Sequence, residues 1–410
     1  MMNPRQQLEK LLCETPAEAR ARESSAFDRL AENRRDVVIF GAGRLGRKLL
    51  AGLPEMALIP VAFADNDSSL WGASIEGVPV LKPQDATARY SRDAVFAVAI
   101  WHPSRTPLMS DLLVQLKSAH CSAVPFPLLF WRNADRFLPY FFWDLPGKLL
   151  KHAEQIQQAF ALLEDDLSRQ TLVVQLQLRL HADFGCPGLP VPGDQYFPGL
   201  FMMSPDECFV DCGSYTGDSI QTFISQTRNI YRKIIAFEVD SAILPQLESG
   251  ISDLSSRAIL HKAAVGATKG TVHFAGDGIG GGRITGTEGL QVPSVRLDDA
   301  LAGEHITFIK MDIEGAELQA LQGAERVIRR DRPVLAVCGY HTPDHLWQIP
   351  TLLRQLAPDS LLFLRSHCVD GLDTVFYSVP PERAISIRAD STCDVKGGSP
   401  SGDRAKGQAI

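Results

Sequence analysis

The stretch ECFVDCGSYTGDSI, residues 207–220, governs how the rest of the chain is read. Its apolar run Cys208–Cys212 reads as a buried strand with Asp211 near its end. A turn carrying Gly213 and Gly217 follows, and a helix begins at Asp218. Glycine lets the backbone come close to a ligand, and the first helical turn leaves N–H groups without partners. Such a turn suits a nucleotide or an amino-acid carboxylate. Two glycines between a strand and a helix also occur without any ligand, so the neighbouring stretches must decide.

Three of them bear on it. In IIAFEVD (234–240) the next strand ends at Glu238, 25 residues after Gly213. A carboxylate there can accept hydrogen bonds from ribose hydroxyls; otherwise it is a solvated strand-end acid. In LHKAAVGATKGTVHF (260–274) the small residues Ala263, Ala264 and Gly266 leave room for a flat base before a hairpin-like return. In ITFIKMDIEGAELQALQGA (306–324) Lys310, Asp312 and Glu314 alternate at a strand end, and Gly315 opens a helix. Alternation keeps the three on one side while the strand lasts. A lysine inside an apolar run needs a partner, and Asp312 and Glu314 are the candidates. The predicted strands are Cys208–Cys212, Ile234–Phe237, Ala258–Ala263, Thr307–Asp312, Val334–Cys338, Leu361–Leu364 and Thr374–Ser378. Their alternation with helices implies a parallel sheet.

A second alternation lies upstream. VVIFGAGRLGRKLL (37–50) places Gly41, Gly43 and Gly46 between a strand and a helix, and Asp65 ends the next strand 19 residues after Gly46. This is the dinucleotide fingerprint in its proper context, without a separate dehydrogenase catalytic set. The expected fold class is therefore α/β, with two Rossmann-like parallel-sheet domains joined by a helical segment. The expected organisation is a helical lead over 1–34, a nucleotide-binding-type domain over 35–125, a helical connecting region over 126–205, the second sheet domain over 206–385 and a disordered tail over 386–410. Within the connection, the aromatic-dense 125–146 reads as packing between domains rather than as an aromatic ligand site. Lys148–Leu180 has helical spacing, and Gly185–Gly199 reads as a loop.

Composition narrows the function. The chain has 410 residues, a formal charge of −7 and no basic run, so no nucleic-acid partner is expected. Of the 8 cysteines only Cys208 and Cys212 lie close together, and no second pair has ligand spacing. No zinc site is expected, and scattered thiols fit a reducing, cytoplasmic setting. No signal-peptide core and no long apolar stretch occurs, so no membrane span is expected.

FVDCGSYTGDS, AFEVD, AAVG, VRLDDAL, FIKMDIEGAELQALQGA, CGYHTPDHLWQIP and LRSH together resemble the FkbM-type methyltransferases, of the class I S-adenosylmethionine-dependent fold. The resemblance spans about residues 195–380, and KMDIEGAE with LQGA is its most specific part. AFEVD departs from it by lacking the family's proline after the acid. The resemblance implies a twisted seven-stranded sheet with its last strand antiparallel. It implies a cofactor-binding set of Asp211, Gly213, Ser214, Gly217, Asp218, Glu238, Ala264 and Asp312. Asp211, Gly213 and Gly217 would surround the methionine part of S-adenosylmethionine, and Glu238 would hold the ribose. Asp312 and Glu314 would line the floor near the methyl group, with His341 facing the acceptor.

Methyl transfer is an in-line displacement, and a hydroxyl acceptor benefits from a general base. The catalytic candidates are His341, Asp312 and Glu314. His341 has the most suitable unperturbed pKa, and its alternative role is a structural hydrogen bond. No metal is required, although a divalent ion on Asp312 and Glu314 is another way to acidify a hydroxyl. Upstream, FADNDSSLWGASIEGVPVL (63–81) resembles small Rossmann-like domains found before sugar acyltransferases and at the end of sugar C-methyltransferases. It implies a nucleotide or nucleotide-sugar site at Gly41, Gly43, Gly46 and Asp65, or a scaffold without a ligand. The leading expectation is O-methylation of a sugar, glycan or small natural product. The alternatives are an NAD(P)-dependent oxidoreductase using the N-terminal fingerprint and a non-catalytic nucleotide-binding scaffold. Oligomeric state is left open.

Overall fold

The structure is a computed structural model that describes residues 2–102, 107–185, 188, 190–254, 256–276, 278 and 281–385. The expected disordered tail over 386–410 lies outside the described residues. The N-terminal lead forms two helices, Pro4–Leu12 and Pro16–Ala31, each opened by a capping box, on Asn3 and on Thr15. In each box the cap's side-chain oxygen and the side chain of the third helical residue, Gln6 or Glu18, satisfy amides that the helix cannot.

The first sheet contains β1 (Asp36–Phe40), β2 (Ile59–Ala64), β3 (Ser74–Ile75), β4 (Val78–Leu81), β5 (Ala94–Val98) and β6 (Ser122–Pro125), in the order β3-β4-β2-β1-β5-β6. All neighbours pair in parallel except β3 with β4. The chain leaves β1 toward β2 on one side and β5 on the other, so the switch point lies between β1 and β5.

The second sheet contains β7 (Cys208–Cys212), β8 (Lys233–Phe237) and β9 (Ala258–His261) on one side. The chain then departs into a separate four-stranded sheet made of β10 (Ala264–Val265), β11 (Gly270–Ala275), β12 (Arg283–Thr285) and β13 (Leu290–Val295). It returns as β14 (Phe308–Met311), β15 (Val334–Cys338), β16 (Leu361–Ser366) and β17 (Thr374–Val379), giving the order β16-β17-β15-β14-β7-β8-β9. Only β17 runs antiparallel, to both β15 and β16. The seven strands and the antiparallel last strand match the expected sheet. The strand expected over Ala258–Ala263 instead ends at His261, because the chain turns out of the sheet there to begin the small one.

Strands β7, β14 and β15 are buried at every position, as expected for a parallel sheet covered on both faces. One cover is the helix Asp166–His181, which buries Leu172, Val173, Leu176 and Leu180 in the same core as Leu362, Leu364 and Trp347. Asp165 caps that helix and pairs with Arg365 of β16. The aromatic segment forms a knot. Trp101 lies with its centroid 5.3–6.2 Å from those of Phe126, Tyr140, Phe141, Phe142 and Trp143. The knot ties the first sheet to the second: Trp101 donates from its indole N–H to the Asp370 carbonyl, in the loop between β16 and β17. Among the described residues no helix is long and apolar enough to cross a membrane.

Candidate active site

Parallel sheets bind ligands at the carboxyl ends of their strands, at the switch point. In the second sheet that point lies between β7 and β14. Gly213 follows β7 with φ +78°, and a Cβ on it would sit 1.9 Å from the carbonyl oxygen of Asp312, which follows β14. The two turns therefore touch backbone to backbone, which only glycine permits.

A cleft open at its mouth begins at this contact. Gly213, Tyr215, Glu238 and Val239 form one wall. Ala263, Ala264 and Phe274 form another, and Asp312, Ile313 and Glu314 close the floor. Glu238 faces into it. Its carboxylate accepts from the backbone N–H groups of Tyr215 (2.9 Å), Val239 (2.6 Å) and Asp240 (2.8 Å). A carboxylate has about four acceptor positions, so one remains for a ligand.

Of the sequence-predicted binding residues, Gly213, Glu238, Ala264 and Asp312 line the cleft. Asp211, Ser214, Gly217 and Asp218 are not among its lining residues. Asp211 and Ser214 are fully buried, and Gly217 precedes the helix Asp218–Gln226. The expected partner of Lys310 requires correction. Its ammonium pairs with Asp211 at 2.9 Å and donates to the Gly213 carbonyl, rather than bonding Asp312 or Glu314. The strand ends at Met311, so Lys310 points beneath the turn while Asp312 and Glu314 have already left the alternation. Burial opposes the lysine's charge, but Asp211 and Asp312 outweigh it and hold its pKa above the ordinary lysine value.

A cluster of charges continues from the cleft floor. The Nε2 of His341, in the loop after β15, lies 3.3 Å from Asp312 and 3.7 Å from Glu314. Its Nδ1 lies 2.8 Å from the buried Glu317, which also accepts from the Ile313 amide. Glu314 adopts φ +55° at the turn before Gly315, a left-handed conformation that costs a non-glycine residue of order 1–3 kcal/mol. Burial would push the His341 pKa down, but Glu317, Glu314 and Asp312 raise it to about 10. That direction favours the charged imidazole and sets His341 apart from the ordinary histidine pKa expected of a general base.

Sequence reasoning missed the groups that hold this cluster. Tyr196, from the segment read as a connecting loop, donates to Asp312 at 2.7 Å, and Tyr340 does so at 3.3 Å. Phe141, from the aromatic segment, lies 6.5 Å ring to ring from His341. Burial and the charge of Asp312 raise Asp373 to about 6.

The N-terminal turn has a related build. Gly41 has φ +114°, and a Cβ on Gly46 would meet the Gly41 carbonyl oxygen at 1.9 Å. Gly43 precedes the helix Arg44–Leu50, and Asp65 accepts from the amides of Ala42 (2.6 Å) and Asp67 (2.8 Å).

Comparison with known proteins agrees with the second sheet's geometry. Residues 211–367 match the family pattern of the methyltransferase FkbM domain. Among solved structures, the methyltransferase FkbM from Methylobacillus flagellatus KT is 24% identical and covers 88% of this chain and 93% of that one, with a TM-score of 0.69. UDP-D-quinovosamine 4-dehydrogenase from Vibrio fischeri is 21% identical over 25% of this chain and 86% of that one, with a TM-score of 0.20. A putative rRNA methylase from Clostridium thermocellum is 10% identical over 44% of this chain and 89% of that one, with a TM-score of 0.29. The last two overlaps are too low to bear on the chemistry. No curated protein matches the chain.

Proposed function

We propose that this chain, a methyltransferase carrying a methyltransferase FkbM domain over residues 211–367, methylates a hydroxyl of a sugar, glycan or other small natural product. The donor is S-adenosylmethionine. The observation that carries this reading is that Gly213, Glu238 and Asp312 open onto one cleft, and that Asp312 and Glu314 belong both to its floor and to the His341 cluster.

The cleft fits the donor's parts. Glu238 keeps an acceptor position for a ribose hydroxyl, Ala263 and Ala264 leave space for a flat base, and the Gly213 turn admits a close-lying amino-acid end. The donor supplies an electrophilic methyl group. The chain's part is to align the acceptor oxygen with it and exclude water, which lowers the barrier mainly through positioning. The positive charge at His341 stabilises the negative charge that develops on the acceptor oxygen. The hydroxyl proton passes to Asp312 or Glu314, the oxygen forms the new bond to carbon, and the carbon–sulfur bond breaks to leave a neutral thioether. The first sheet serves as a scaffold in this reading, because Trp101 and the Met109 amide both bind Asp370 in the loop beside the cluster.

Calorimetry of the full chain with S-adenosylmethionine, followed by a radiolabelled methyl-transfer screen over glycans, nucleotide sugars and small polyols, tests the proposal. Saturable binding and label in one acceptor class are expected. Absence of binding at millimolar donor would overturn it.

A further inference from the structure

The strongest unexplained feature beside the cleft is an unfilled donor position. The His341 side chain is 2% exposed, yet its Nε2 has no hydrogen-bond partner among the described residues. That nitrogen faces the Asp312 and Glu314 carboxylates at 3.3 and 3.7 Å. Nδ1 is held by Glu317 at 2.8 Å, which fixes the ring so that Nε2 points at the two acids. The only partners of Nε2 among the described residues are the two carboxylates at ion-pair distance, without a hydrogen bond. A buried group left short of its hydrogen bond is costly, so a cation taking the place of its proton would satisfy the nitrogen and both acids together.

We infer that Nε2 of His341, Asp312 and Glu314 together bind one divalent cation, of the Mn²⁺ or Mg²⁺ type, beside the methyl-donor cleft. One candidate ligand atom from each of the three lies within 4.8 Å of the others. Ligands on a sphere of about 2.1 Å stand about 3.0 Å apart when adjacent and about 4.2 Å apart when opposite. The separations of His341 Nε2 from Asp312 and Glu314, 3.3 and 3.7 Å, fall within that range. Two carboxylates and one imidazole suit hard and borderline cations that prefer high coordination, and leave positions for an acceptor oxygen and water.

The surroundings are those of a metal site. Glu317 on Nδ1 is the carboxylate that commonly orients a ligating histidine. Tyr196 and Tyr340 hold Asp312 in the same way. Three carboxylates converge on one imidazole, and a divalent cation offsets more of that charge than a single proton on Nε2 does. On the methyltransferase reading, on which this inference rests for its purpose, the cation takes over the role assigned to the imidazolium. Held by these three side chains, the cation would supply Lewis-acid activation of an acceptor hydroxyl, whose proton would leave to water and whose oxygen would take the methyl group as the carbon–sulfur bond breaks.

Mn²⁺ is the probe, added to the full chain without any methyl donor and followed by electron paramagnetic resonance. One site per chain is expected, with nitrogen coupling from a single imidazole. His341→Gln should abolish the coupling and weaken binding at least tenfold. Glu314→Gln, at a partly exposed position, should weaken binding at least tenfold while the fold is retained. Glu317→Gln should weaken it roughly tenfold to a hundredfold, as loss of an orienting carboxylate does. No stoichiometric binding, no nitrogen coupling, or wild-type affinity in His341→Gln and Glu314→Gln would overturn the inference. Calorimetry of metal-free chain with S-adenosylmethionine separates the two readings: failure there removes the proposed donor and leaves the Mn²⁺ result standing.

Discussion

The worth of a carboxylate depends on how many of its acceptor positions the protein already uses. Glu238 spends three on the amides of Tyr215, Val239 and Asp240, so it gains about one charge-assisted bond from a ribose, worth on the order of 1.5–3 kcal/mol. Glu238→Gln should therefore lower S-adenosylmethionine affinity roughly tenfold or more, read by calorimetry, with some loss of melting temperature because an amide nitrogen cannot accept from a backbone N–H. Unchanged affinity would remove Glu238 from the donor site. Lys310 is a different kind of residue. It is 3% exposed, and its charge is matched by the fully buried Asp211. Replacing one partner strands the other, which typically costs about 3–5 kcal/mol. Lys310→Met should show that loss in urea unfolding, and adding Asp211→Asn should recover part of it. A single variant as stable as the parent would mean that the pair is not ionised.

Elements with long apolar runs were legible in the sequence because burial on both faces leaves no alternation to misread, and six of the seven strands of the second sheet are of that kind or nearly so, the exception being the edge strand β9. The four-stranded sheet was not: β11 and β13 are half exposed and mixed in character, and pairing rather than composition defines them. The site divides the same way. Gly213, Asp312 and Glu314 sit in local motifs, but Tyr196 reaches Asp312 across 116 residues, a contact that no local pattern encodes. The loop carrying His341 is likewise held from afar. Arg179, 1% exposed, donates from the helix Asp166–His181 to the carbonyls of Pro343 (2.9 Å) and Gly339 (3.4 Å). Arg179→Met should lower kcat by an order of magnitude or more while donor affinity stays within about threefold, since a small misplacement of a reacting group costs up to about a hundredfold. An equal loss in donor affinity would point to general unfolding instead. At the end of the β16–β17 pair, burial and then Arg365 lower the His367 pKa to about 4. The unfolded histidine, near 6.5, binds its proton first, so stability should fall as pH drops from about 6.5 to about 4. His367→Gln should flatten that part of the urea-unfolding profile, and an unaltered slope would show that His367 titrates normally.

At the scale of the molecule, the second sheet does not end where its motifs begin. The helix Asp166–His181 lies outside the family match at 211–367, yet Leu172, Val173, Leu176 and Leu180 share a core with Leu362 and Leu364. Burying four such side chains is worth roughly 6–12 kcal/mol at most. A typical domain's whole stability is about 5–15 kcal/mol. Deleting the helix also leaves the nearly buried Arg365 without Asp165 and the Leu364 amide without the Ser168 hydroxyl. A chain cut to 206–385 should therefore lack a cooperative thermal transition, whereas one beginning at Ala153 keeps the helices Ala153–Ala161 and Asp166–His181 and should melt cooperatively. Circular dichroism on the two pieces decides the matter. If the shorter piece melted as sharply as the full chain, the helix would be an attachment to the methyltransferase sheet rather than one of its layers, and the reach of Arg179 to the His341 loop would lose its importance.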